Sequence, residues 1–147
     1  MDLSGLKWPV IILAVVAVIW LGTSGGVNYM VGNFTKATPG QDAARDKADE
    51  SSLSTVAGYC MFMMNYGKAA EVLNLAIDRY GTTGANYYYN QFRLAKCLEK
   101  LHRVQESYNI IRDLAEINAK QYDGRLPERE SLNTRATALR QANNLSE

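Results

Sequence analysis

The chain has 147 residues, which is room for one modest domain plus a tether and too little for two domains with separate large cores. Sixteen Lys and Arg against fifteen Asp and Glu leave a formal net charge of +1, evenly mixed. There is no basic stripe for nucleic acid and no acidic tail. Cys60 and Cys97 are too few and too far apart for a zinc site or a disulfide framework.

From Trp8 to Val31 the chain meets no charge, and Trp8 to Leu21 is almost wholly apolar. Pro9 suits a first helical turn, where its missing N–H costs nothing. A helix from Trp8 to Tyr29 rises about 32 Å with an aromatic near each end, so the pattern predicts a single transmembrane helix within residues 1–34. A signal peptide is the competing reading, but no A-x-A-like cleavage site follows the apolar core. Ala14, Val18, Gly22 and Gly26 recur every four residues, a small-residue stripe on which a second helix can pack, and Asn28 near the same end seeks a polar partner. The alternative is that the helix frays at Gly22 to Gly26. Lys7 on one side stands against Lys36, Arg45 and Lys47 on the other, which leaves the side of the following domain open.

Residues 35–50 are polar, carry the turn signal Pro39-Gly40 and read as a linker, with the next helix starting several residues before Leu53. Leu53, Val56, Ala57 and Cys60, then Tyr66, Ala69, Leu73 and Ala76, are spaced as the apolar and small residues of two packed helices. A second copy follows the loop Thr82 to Asn90. Leu94, Ala95, Leu98, Val104, Ser107, Ile111 and Leu114 repeat the first copy from Val56 onward at one shared offset of about 38 residues. Asp123-Gly124 closes that copy. Pro127 opens a last helix whose thin apolar face, Leu132, Ala136 and Leu139, suits a cap on a repeat stack.

This spacing resembles the tetratricopeptide repeat family, over Ser51 to the C-terminus. Ala57 stands at the family's glycine position, Ala69 and Ala76 at its two alanines and Leu73 at the aromatic between them. Leu53 replaces the tryptophan, Cys60 the tyrosine, Met64 the turn glycine and Gly81 the closing proline. The resemblance implies an all-α chain: a transmembrane helix, then two helical-hairpin repeats and a capping helix over 51–147. It also implies that the first helix of each repeat lines a concave surface, here with Ser54, Gly58, Met61 and Phe62, and with Tyr89, Phe92, Lys96, Glu99 and Lys100. Members that grip C-terminal carboxylates use Lys and Asn where Ser54 and Gly58 stand. Met61, Phe62, Tyr89 and Phe92 instead suggest an apolar groove, with Lys96 and Lys100 selecting acidic flanks. Packing of these four against the loop or the linker is the plainer alternative. Tyr87, Tyr88 and Tyr89 cannot all face inward, so at least one is expected to be exposed or held by a partner.

No reaction centre is expected. His102, the one histidine, falls at a turn; Cys60 and Cys97 read as small buried residues of first helices, a bridge between them being open only in an oxidising compartment; no glycine-rich phosphate loop occurs. The expectation is a non-enzymatic, cofactor-free scaffold that binds other membrane proteins and neither nucleic acid nor a small-molecule substrate. It would be an accessory or assembly subunit, akin to membrane-anchored tetratricopeptide proteins of bacterial envelopes and hence of an inner membrane. Transient adaptor work on clients, or a purely structural role for the anchor, are the alternatives.

Overall fold

The computed structural model describes residues 4–145; the expected tail at 1–3 and the last two residues of the expected domain lie outside them. Seven α-helices follow one another: α1 (Ser4–Leu21), α2 (Ser24–Phe34), α3 (Ala43–Phe62), α4 (Tyr66–Tyr80), α5 (Tyr87–Lys100), α6 (Val104–Glu116) and α7 (Arg129–Asn143). Short 3-10 turns stand at Gly81–Thr83 and Ala119–Gln121, and the described residues contain no strand. The fold is all-α.

The single helix expected over Trp8–Tyr29 is instead two helices. The chain bends by 75° between α1 and α2, and among the described residues no single helix is long and apolar enough to cross a membrane; only the bent pair has the length and composition. The break has a local cause. Thr23 is extended, its hydroxyl donates to the Trp20 carbonyl at 2.6 Å, and the same oxygen accepts from Gly26 N, capping α2. A Cβ at Gly26 would lie 2.4 Å from the Trp20 oxygen and 2.5 Å from Leu21 Cα, so this corner requires glycine there. The expected packing stripe is thereby divided: Ala14 is exposed on α1, Gly22 lies in the break, Gly26 is buried in the corner and Asn28 is exposed on α2. Gly22 does allow a close approach, but to α3 of the same chain, with Tyr59 Oη 3.1 Å from where its Cβ would be.

α2 is part of the folded body. Val27 is fully buried in the first core cluster, and Met30, Val31 and Phe34 pack on that cluster. Tyr59 Oη donates to the Val18 carbonyl at 3.1 Å. Arg79 of α4 donates to the carbonyls of Thr35 and Ala37, at 3.2 and 2.6 Å, pinning the segment after α2. Asp42 caps α3 by accepting from Ala44 N and Arg45 N. The helix expected to start several residues before Leu53 starts at Ala43, so residues 43–50 of the 35–50 stretch are the opening turns of α3, and Asp49 and Glu50 within them are buried.

α3 and α4 form one hairpin and α5 and α6 the next; α4 packs on α5, and α7 on α6. The sequence offset is reproduced in the backbone. Asn65 N donates to the Cys60 carbonyl and Arg103 N to the Leu98 carbonyl, each at 2.9 Å, closing equivalent turns in which Met64 and His102 take φ of 57° and 60°. The two 3-10 turns stand at the same offset from each other. The register continues into α7, where buried Leu132 and Ala136 occupy the places of Leu94 and Leu98, and of Val56 and Cys60. Close crossing of the paired helices rests on small buried residues, Ala57, Ala69 and Ala76 in the first hairpin and Ala95 and Ser107 in the second.

Candidate docking face

Along α5 the residues Tyr89, Phe92, Arg93, Lys96 and Lys100 recur at helical spacing on one face. The Tyr89 ring meets two guanidinium groups, Arg93 at 5.4 Å and Arg125 at 4.2 Å from its centroid. One turn on, Lys96 Nζ sits 4.4 Å from the Phe92 centroid and Arg135 of α7 5.9 Å from it. Two aromatic rings thus gather four cations, each ring face attracting positive charge.

Only two of the four are neutralised. Arg125 pairs with Asp123 at 2.6 Å, and Arg135 donates from Nη2 to both Glu99 carboxylate oxygens at 2.9 Å and from Nε to Oε1 at 3.1 Å. Among the described residues neither Arg93 nor Lys96 makes an ion pair. Arg93 instead donates to the Ser54 carbonyl at 2.8 Å and to Ser54 Oγ at 3.1 Å, bridging α5 to α3. Burial holds the Arg93 guanidinium below its ordinary value, and burial first, then the neighbouring Arg135, does the same for the Lys96 ammonium, with Glu99 opposing. Asp123 is held below the usual carboxylate range chiefly by the hydrogen bond from Arg125. The face is left with an excess of partly dehydrated positive charge.

A buried polar node fixes this arrangement from behind. Glu50, 1% exposed, accepts from Asn86 Nδ2 at 2.7 Å, Asn86 N at 3.2 Å and Asn90 Nδ2 at 3.0 Å. Asn90 Oδ1 accepts from Ser54 Oγ at 2.7 Å, and Asn86 Oδ1 from Arg125 at 2.9 Å. The chain Glu50, Asn90, Ser54, Arg93 therefore ties α3 to α5 through groups that are all satisfied by partners.

The structure distributes the six residues expected to line an apolar groove. Tyr89, Phe92 and Lys96 come together as described, although Phe92 is buried beneath its cations and Tyr89 is only partly accessible. Lys100 is exposed at the end of α5. Met61 packs on the first core cluster, and Phe62 stands 80% exposed at the α3–α4 corner. The three tyrosines are all half-buried within the chain: Tyr87 meets Tyr88 edge-on, Tyr88 stacks on Tyr122 at 5.0 Å, and Tyr89 meets the two arginines. The covering ring, Tyr122, comes from the loop after α6, which local spacing could not reveal.

Arg93 was legible in principle, lying four residues after Tyr89 and three before Lys96. Arg125 and Arg135 reach the face from a loop and from α7, and Glu50 from what reads as linker. Cys60 and Cys97 are free and buried, and His102 is exposed at its turn. No protein-family model, curated protein or solved structure matches the chain.

Proposed function

We propose that the chain is a membrane-anchored, non-enzymatic scaffold of tetratricopeptide-like hairpins, and that its α5 face docks an acidic segment of a partner within a membrane complex. The observation that carries the reading is the set of four cations on Tyr89 and Phe92, two of them without a carboxylate. Such a face attracts an anion at a site where the rings hold the cations in place and partial burial strengthens the attraction. The repeated hairpin supports the architectural half of the reading. The anchor is supported by α1, whose large apolar side chains from Trp8 to Trp20 are 50–74% exposed around the helix, and by the length and composition of the bent pair that it forms with α2.

The test is binding of labelled peptides by the full chain in lipid nanodiscs. An acidic peptide with interspersed leucines is expected to bind, to weaken as salt rises, and to lose about tenfold in affinity on combining Arg93→Ala with Lys96→Ala. Equal binding of a lysine-rich counterpart, or indifference to the double substitution, overturns the reading.

A further inference from the structure

We propose that the corner Phe62-Met63-Met64 is a second membrane contact, dipping into the leaflet beside α1. Three consecutive large apolar side chains are 80%, 48% and 76% exposed there, on a tight turn that holds them away from either core. The corner adjoins the anchor. Met63 Cε lies 3.6 Å from where a Gly22 Cβ would be, and one turn earlier Tyr59 bonds to the Val18 carbonyl. Between α1, α2 and α3 at the same junction lies an apolar hollow of about 330 Å³, lined by Val18, Leu21, Met30, Thr55, Val56 and Tyr59. The exposed side of α1, the hollow and the corner are thus contiguous apolar surface, and no charge occurs in the chain from Ser51 to Gly67.

The second hairpin supplies an internal comparison. Its corner has the same backbone, with His102 at φ 60° where Met64 has 57°, yet Lys100, Leu101 and His102 stand in place of Phe62, Met63 and Met64. The turn itself therefore does not call for large apolar residues at its first and third positions. Only the corner next to α1 has them, and lipid is the surroundings that a flexible, uncharged cluster beside an apolar helix fits.

The proposal rests on α1 being in the membrane, and the experiment separates the two. The full chain is reconstituted in phosphatidylcholine vesicles with an environment-sensitive fluorophore on a thiol introduced by Val16→Cys, Phe62→Cys or His102→Cys; native Cys60 and Cys97 are buried and escape labelling in the folded protein. Blue-shifted emission, quenched by spin-labelled lipid, is expected at positions 16 and 62 and not at 102. Quenching at 16 alone overturns the corner contact and leaves the anchor. Blue-shifted emission at 62 that lipid does not quench means that a second copy covers the corner, which also overturns the proposal. Quenching at neither 16 nor 62 removes the anchor and the corner together.

Discussion

Arg93 occupies the space beside Gly58: a Cβ on Gly58 would lie 2.6 Å from Arg93 Nη2, so the absence of a side chain on α3 is what lets this guanidinium lie across to Ser54. Gly58→Ala is expected to push the guanidinium aside without unfolding the hairpin. The gain in helix propensity, about 0.5–1 kcal/mol, offsets the loss of hydrogen bonds worth about 1 kcal/mol. Urea denaturation should change little, whereas acidic-peptide affinity should fall about fivefold, roughly 1 kcal/mol. A large loss of stability with retained binding would show that Gly58 serves packing alone.

Glu50 is the acceptor on which three donors of α5 and its approach converge. Glu50→Ala leaves Asn86 and Asn90 donors without a partner and is expected to cost about 3 kcal/mol. Chemical denaturation checks the number, and Glu50→Gln, which keeps the shape, should cost less.

Met64 and His102, left-handed at the two hairpin turns, carry a penalty that glycine relieves. His102→Gly is expected to stabilise the protein by about 0.5–1 kcal/mol once the greater freedom of glycine in the unfolded chain is deducted. The change is seen as a higher urea midpoint, with docking unaffected because His102 is solvent-exposed and takes part in none of the ring–cation contacts.

Arg79 fastens the segment after α2 through two carbonyls. Arg79→Ala should release residues 35–42 at a cost of about 1–2 kcal/mol. Faster tryptic cleavage after Lys36, with the hairpins left intact, is the expected readout.

The Cys97 thiol is pushed up to about 11 from its ordinary 9.0, chiefly by burial, with Arg93 opposing and Cys60 adding. Below pH 9 the thiol is protonated in both states and the contribution is full. Between pH 9 and 11 the unfolded chain loses its proton first, so stability falls. The fall amounts to about 3 kcal/mol, at roughly 1.4 kcal/mol per unit of difference. Cys97→Ala should abolish it, measured as the difference between wild-type and variant stability across that range.

The sequence by itself determined the helices and their repetition. Apolar and small residues at helical spacing, copied at one offset, set α3 to α6 and the cap, because a repeat buries its faces against the neighbours next in the chain and local pattern is nearly the whole instruction. Met64 and His102, which share the offset at the two hairpin turns, share a backbone of positive φ as well. What only the tertiary structure decided is where segments distant in sequence meet. An uncharged run from Trp8 to Val31 reads as one straight helix, and the 75° corner depends on Thr23 capping, on a Cβ-free Gly26 and on Val27 finding the first core. The docking face likewise draws Arg125 from a loop, Arg135 from α7 and Glu50 from the start of α3. Charges act through space, so their gathering around Tyr89 and Phe92 has no period along the chain from which it could be read.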